Sequence, residues 1–274
     1  MIAFPQAKIN LGLNVVDKRP DSFHDIETVM MRIPLSDALE IVFDPVLSPG
    51  QVGYSRSGLN VDGDPEKDLV LRAIRAYASI LQLPALRAHL HKAIPMGAGL
   101  GGGSSDAAYT LTLLDRMMGA PLGPKRLHVI AASLGSDCPF FLEERPQFAT
   151  GRGEQLCPVD VDLAGCWLLL VNPGVHVPTA EVYSGLRPSG HSIDLPNALA
   201  TSSLEDWGEA APNSMEPAVF AAFPEVRELK DHISSLGAAH TAMSGSGSSV
   251  FGIFRQRPKP SEWPKAYRAW TFQL

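Results

Sequence analysis

The sequence predicts an α+β protein with mixed or antiparallel sheets, and three observations predict it. Period-2 segments such as Ala7–Val16 and Leu86–Ala93 read as strands, and helical spacing appears in separate stretches such as 68–81. The helix that follows the glycine-rich segment 97–103 leads into a second helical stretch rather than a strand, so a regular βαβ alternation is missing. Ala7–Val16 carries polar residues at Lys8, Asn10 and Asn14. Ile26–Ile33 and Ala38–Phe43 follow as strands, with Pro34-Leu35-Ser36-Asp37 as a turn between them. Residues 45–65 read as loop with room for short strands. Leu69, Ile74, Tyr77, Ala78 and Leu81 set a helix over 68–81, and residues 86–93 then deliver the chain to Pro95. Helices are expected over 104–118 and 124–134, with extended chain over 137–142 and a strand over 147–150.

A boundary near residues 158–163 divides the chain into domains at 1–160 and 161–274. Beyond it, Cys166–Val171 is an apolar run suited to a buried strand. Residues 185–214 read as an irregular connection around a short helix. Glu216–Leu236 reads as one helix, and Ala238–Phe254 as two strands around the turn Gly245-Ser246-Gly247. Ser261–Ala269 reads as a last helix.

The chain has 274 residues, of which 45% are apolar, and a net charge of −6 with no run of lysine and arginine. That balance argues against nucleic acid as a partner. No stretch of 18 apolar residues is present, so no membrane span is expected. The N-terminus runs straight into patterned sequence without a signal or transit peptide, and a cytoplasmic location is expected. Cys138, Cys157 and Cys166 form no CxxC pair and read as reduced thiols. His89 and His91 lack acidic companions for a zinc site.

The most informative segment is Pro95-Met96-Gly97-Ala98-Gly99-Leu100-Gly101-Gly102-Gly103-Ser104-Ser105, with five glycines in seven positions before a helix. Glycine lets a ligand approach the bare backbone. The helix start adds free N–H groups and the positive end of the macrodipole. Together these describe a phosphate cradle. A Walker A loop is excluded because no lysine follows the glycines before Lys125. Gly97, Gly99 and Gly102 match the spacing of a dinucleotide fingerprint, but the strand and acidic residue that an NAD site requires do not follow. Ser104 and Ser105 can donate to phosphates, stand near Mg²⁺, or simply cap the helix. Lys92 and Met96 flank the loop and are placed beside an adenine.

Three segments in this order resemble the GHMP small-molecule kinases: Ala7-Lys8-Ile9-Asn10-Leu11, residues 95–108, and Ser244-Gly245-Ser246-Gly247-Ser248. The resemblance is nearest to the branch that phosphorylates a cytidine-diphosphate-linked methylerythritol. Asp21-Ser22-Phe23-His24-Asp25 resembles its Asp-Gly-Tyr-His-Glu segment, and Leu134–Phe140 its Leu-Gly-Ala-Asp-Val-Pro-Phe segment. Asn172-Pro173-Gly174, Pro178–Tyr183, Asn213 and Glu216-Pro217 match its second-domain segments. Ser22, Phe23, Asp68 and Asp106 depart from the usual Gly, Tyr, Asn and Asn.

The resemblance implies a two-domain fold, with an N-terminal α+β nucleotide-binding domain and a C-terminal ferredoxin-like α+β domain. It implies an ATP- and Mg²⁺-dependent kinase that phosphorylates the 2-hydroxyl of the cytidylyl substrate, acting as a monomer or homodimer. No protein ligand to the metal is assigned. Lys8 and Asp137 match the catalytic pair. Taken alone, the lysine would read as a solvated strand residue and the aspartate as a turn residue. As a pair, Asp137 can remove the acceptor proton or only orient the hydroxyl, while Lys8 stabilises charge on the phosphoryl group. Asn10 shares the Lys8 strand face and can hold substrate hydroxyls. Phe23, His24 and Tyr183 match a cytosine pocket, and Thr179 and Gly245 further substrate contacts. A homoserine- or mevalonate-type kinase and a non-catalytic nucleotide-binding protein of the same fold are the alternatives.

Overall fold

The computed structural model describes residues 1–60, 64–178 and 188–274. In chain order the elements are β1 (Ile2–Ala3), β2 (Gln6–Lys18), β3 (His24–Ser36), β4 (Ala38–Phe43), β5 (Val52–Gly58), α1 (Leu69–Ala78), β6 (Leu86–Lys92), α2 (Gly102–Met117) and α3 (Gly123–Leu134). Then follow β7 (Gln147–Thr150), β8 (Gln155–Pro158), β9 (Trp167–Asn172), α4 (Leu195–Thr201), α5 (Trp207–Ala210), α6 (Glu216–Ala222), α7 (Pro224–Ser235), β10 (His240–Met243), β11 (Val250–Phe254) and β12 (Arg268–Gln273). The mixture of helices and largely antiparallel sheets is the α+β class that the sequence predicts.

The described residues group into two compact units that interleave along the chain. The first comprises 1–7, 34–96 and 101–144, and the second 8–33, 97–100 and 145–274. A cut after residue 160 would assign 8–33 and 145–160 to the first unit, whereas their contacts group them with the second. The glycine-rich loop contributes 97–100 to the second unit and 101–105 to the first.

The first unit is built on a sheet of order β1-β4-β6-β5. Its β5 and β6 are parallel and joined through α1, while β1, β4 and β6 pair antiparallel. Alternation along β6 turns Leu86, Ala88 and Leu90 inward, and these pack with Leu39, Ile41, Ile74, Tyr77, Leu111 and Leu114. Lys92 occupies the next inward position of the same alternation, so the strand carries a lysine into the core. His89 and His91 face outward, where their rings meet the hydroxyls of Ser55 and Ser57 at 2.8–3.0 Å.

The second unit contains sheets of order β2-β3-β7-β8 and β10-β11-β9-β12. The second of these sheets is antiparallel throughout. Leu169, Val171, Val250 and Phe254 of this sheet pack with Val226, Leu229 and Ile233 of α7.

Several elements differ from the sequence expectation. The turn expected at Pro34–Asp37 is strand as far as Ser36, because Ile33 and Leu35 continue the buried alternation and Asp37 alone forms the joint. The extended stretch expected over 137–142 is a 3-10 turn over Pro139–Leu142, opened by a proline whose fixed φ suits a first helical position. The single helix expected over 216–236 is two helices, since Pro224 forces Phe223 out of helical geometry (φ −133°, ψ 78°) and restarts the helix. The last helix expected over 261–269 is absent. Arg268–Gln273 instead pairs along all of β9, and its alternating aromatic and β-branched residues suit a strand. Helix α2 begins at Gly102, two residues before the expected Ser104.

Candidate functional site

In the second unit, β2 is buried on both faces. Lys8 and Asn10 are each only 3% exposed, so this polar face is internal and does not face solvent. A charge taken from water needs partners. Lys8 Nζ donates to Asn10 Oδ1 at 2.6 Å and to the Gly99 carbonyl at 3.0 Å. The Lys8 backbone N–H donates to the Leu100 carbonyl at 3.0 Å. Asn10 is held in turn by donating to Thr28 Oγ1 at 2.9 Å, and Thr28 donates to the Gly12 carbonyl at 2.7 Å.

The third glycine/serine segment meets the same place. Ser244 Oγ donates to the Gly99 carbonyl at 2.9 Å, and Ser249 N–H donates to the Ala98 carbonyl at 3.2 Å. At Gly99 the approach is so close that a Cβ would stand 1.9 Å from the Ser244 carbonyl oxygen. A Cβ on Gly97 would stand 2.7 Å from the His176 ring, and one on Gly245 3.2 Å from Asn10 Oδ1. Asn213 supports this segment by donating to the Met243 and Gly245 carbonyls at 2.9 and 2.8 Å. Thus Lys8, Asn10, Gly97, Ala98, Gly99, Leu100 and Gly245 come together.

The first unit holds the rest of the loop. Gly101 sits in the left-handed region (φ +69°) and offers no side chain to cap α2. The first N–H groups of α2 are therefore left for a ligand or water, as an anion cradle requires. Ser105 Oγ is buried and has no hydrogen-bond partner among the described residues. The half-buried Ser104 shares a hydrogen bond with Cys138, whose thiol burial pushes up to about 11 and keeps protonated. Asp137 immediately precedes that cysteine and the Pro139 turn, and is half-buried. Met96 is exposed beside the loop.

Lys92 is 2% exposed, and its ammonium pairs with Asp37 and with Asp106 (2.7 Å), so it is an internal ion at the foot of the loop. Asp68 is similarly engaged. Its carboxylate caps α1 by accepting from Val70 N–H at 2.9 Å and accepts from Tyr54 at 2.8 Å.

The β2–β3 turn presents Phe23 and His24. Phe23 is 51% exposed, with the Arg152 guanidinium 4.9 Å from its ring centroid. His24 is 8% exposed, and burial followed by the Lys18 charge lowers its pKa, so its ring is neutral at pH 7. A neutral imidazole offers one donor and one acceptor. Ser22, where the resembled branch has glycine, adopts φ +69°. Ser22→Gly is therefore expected to stabilise the protein by about 1 kcal/mol, read as a higher urea midpoint at unchanged slope. Thr179 and Tyr183 lie outside the described residues.

Thr28, Asp37, Ser244 and His176 join these residues without having been expected from the sequence. Of these only Ser244 carried a signal, as the first residue of the third glycine/serine segment. Thr28 is brought there by the pairing of β3 with β2, whereas Asp37 and His176 lie on the chain just beyond β3 and β9.

A fold of this class, with a glycine-rich loop opening α2 and a buried lysine on β2, defines a small-molecule kinase. The GHMP kinases N terminal domain matches residues 68–144, and the GHMP kinases C terminal domain matches residues 197–273. The chain belongs to the GHMP kinases. It is 46% identical over 256 residues to the 4-diphosphocytidyl-2-C-methyl-D-erythritol kinase of Parabacteroides distasonis, covering 93% of this chain and 92% of that one. A crystal structure of 4-(cytidine 5'-diphospho)-2C-methyl-D-erythritol kinase superposes with a TM-score of 0.78 at 33% identity, covering 99% of this chain and 98% of that chain. The homoserine kinase of Cytophaga hutchinsonii superposes with a TM-score of 0.66 at 16% identity over 97% of this chain and 93% of that one, a likeness of fold alone.

Proposed function

We propose that this chain transfers the γ-phosphoryl group of ATP to the 2-hydroxyl of 4-diphosphocytidyl-2-C-methyl-D-erythritol. The observation that carries the chemistry is the buried Lys8 ammonium on the Gly99 carbonyl of the glycine-rich loop. It places a fixed positive charge on the segment that is suited to holding phosphates. The near relatives, named for this substrate at up to 46% identity, favour it over homoserine or mevalonate. The capless start of α2 and the absence of Cβ atoms along 101–103 fit a nucleotide triphosphate.

The loop N–H groups from 97–105 hold the phosphates, and Ser104 and Ser105 supply hydroxyl donors. Asp137 accepts the hydrogen bond of the acceptor hydroxyl and takes its proton as oxygen bonds to phosphorus and the β–γ bridge breaks. Lys8 stabilises the charge that spreads over the transferred group, and Asn10 orients the acceptor. Mg²⁺ bound with ATP would neutralise phosphate charge, and the hydroxyls of Ser104 and Ser105 would stand near it. It needs only one or two carboxylates besides phosphates and waters.

Phe23, with one face occupied by Arg152, stacks the cytosine, and neutral His24 reads its edge. The reaction is placed in the cytoplasm, and no helix among the described residues is long and apolar enough to cross a membrane. His24→Ala is expected to raise KM for the cytidylyl substrate about tenfold, the scale of one lost hydrogen bond, at unchanged ATP affinity. CMP should compete with the acceptor and AMP should not. The activity itself is tested by ADP release with ATP, Mg²⁺ and a panel of alcohols. Turnover with the cytidylyl substrate alone supports the reading, and turnover with homoserine or mevalonate instead overturns it.

A further inference from the structure

The buried trio Asp37, Lys92 and Asp106 has no part in the chemistry above. Each member sits on a different piece of chain that borders the glycine-rich loop. Asp37 forms the β3–β4 joint, and its Oδ1 accepts from Ala93 N–H at 2.6 Å and Ile94 N–H at 2.9 Å, the residues that lead into the loop. Lys92 ends β6. Asp106 lies one turn into α2, just after the loop ends, and Lys92 Nζ donates to its Oδ2 at 2.7 Å. A Cβ on Gly102 would stand 3.4 Å from the same ammonium. All three side chains are at most 3% exposed.

Two carboxylates on one dry ammonium are a poor source of stability, since desolvation offsets the attraction. Asp106 Oδ1 has no hydrogen-bond partner among the described residues, which adds a further cost. The geometry does accomplish one thing: it ties residues 93–94 to the start of α2. We propose that Asp37, Lys92 and Asp106 are positioning residues that fix the spacing between the two flanks of the phosphate loop and thereby set nucleotide affinity. This inference rests on the reading of residues 95–105 as the ATP cradle.

The charge of the trio makes the brace sensitive to pH. Burial first, with the Asp37 charge working against Lys92, pushes Asp106 up to about 8. The groups that face it are Asp37 from the β3–β4 joint, Lys92 from β6 and Tyr54 from β5, with Asp68 and Arg56 behind Tyr54. Burial opposes the charge on Lys92, but Asp106 and Asp37 outweigh it and hold the ammonium above its ordinary value. Burial and Asp68 hold Tyr54 above its own. Neither changes charge between pH 6 and 9, as Asp106 does. Its folded value lies above the ordinary carboxyl value, so the folded state binds the extra proton between about 4 and 8. The stability this lends falls as pH rises through that window and is gone above it. The ionised trio also sets a second negative charge beneath a site for an anion.

The test is ATP affinity by calorimetry from pH 6.5 to 9 for the wild type, Asp106→Asn and Asp37→Asn, with CD as a check of folding. The wild type is expected to lose affinity by up to roughly tenfold per pH unit above about 8, the linkage of one proton. Asp106→Asn, which keeps the shape without the charge, is expected to be flat over the same range. Asp37→Asn is expected to weaken ATP at all pH values, because an amide accepts less strongly from two N–H groups. If wild type and Asp106→Asn have parallel profiles and Asp37→Asn binds as wild type, the brace is refuted while the cradle stands. If the wild type does not bind ATP, the cradle itself fails. Should a variant not fold, the Asp106 carboxyl is followed by ¹³C NMR in the wild type. A titration midpoint that moves on adding ATP supports the brace, and one that stays fixed overturns it.

Discussion

Asp137→Asn is expected to turn over at least ~100-fold more slowly than wild type, the usual scale for removing a positioned acid–base group, while ATP binds as before. The amide keeps the size of the side chain and its place beside Cys138 and the Pro139 turn, so folding is undisturbed. What it loses is the ability to accept the hydroxyl proton. Lys8→Met is expected to lower kcat on a similar scale by removing the charge beside the transferred phosphoryl group. The two effects should not add, because the groups act on one transition state. Steady-state kinetics with equilibrium ATP binding separates the outcomes. Near-normal kcat in Asp137→Asn would remove it from the mechanism, and a double variant slowed by the product of the single effects would show independent roles.

Gly99→Ala is expected to have the second large effect. At φ +76° an alanine is strained by roughly 1–2 kcal/mol from its own backbone. The greater problem is the Ser244 carbonyl, 1.9 Å from where the methyl must go. One of the two segments has to move by an ångström or more. The Gly99 carbonyl, on which Lys8 and Ser244 converge, moves with it. A misplacement of about 1 Å near reacting groups costs on the order of 100-fold in rate. Weaker ATP binding and a lower kcat are therefore expected together. Gly119→Ala is the control, since Gly119 has a similar φ of +86° but nothing within 4 Å of the added methyl. It should lose stability and keep kcat. If Gly99→Ala resembles Gly119→Ala in both readouts, the close approach has no functional role.

The parts of this protein that could be read from sequence are those written in local chemistry. The density of glycine from Gly97 to Gly103, the polar alternation Lys8–Asn10 and the strand pattern of 86–93 each depend on neighbours along the chain. The missed parts depend on neighbours across the fold. Lys92 read as a loop-flanking cation, and one further step of the β6 alternation places it among buried side chains, where Asp37 and Asp106 reach it. Asp37 read as a turn residue, because its acceptor role needs residues 93–94, which are 56 and 57 positions away. The last strand read as part of a helix over 261–269. The partner that makes 268–273 a strand is β9, about 100 residues earlier. Phe23 and His24 were legible as a pair through the family-like segment around them. The strained turn at Ser22 that presents them was not, because nothing local announces a serine with positive φ.

The central claim is a specific phosphoryl transfer, and ³¹P NMR of the product tests it most directly. The wild-type protein is incubated with ATP, Mg²⁺ and 4-diphosphocytidyl-2-C-methyl-D-erythritol. One new phosphomonoester resonance is expected, appearing in step with ADP and coupled to no carbinol proton, because the phosphorylated C2 carries none, with the diphosphate signals of the acceptor retained. A phosphomonoester coupled to carbinol protons, or ADP formed at the same rate without the acceptor, would contradict the account.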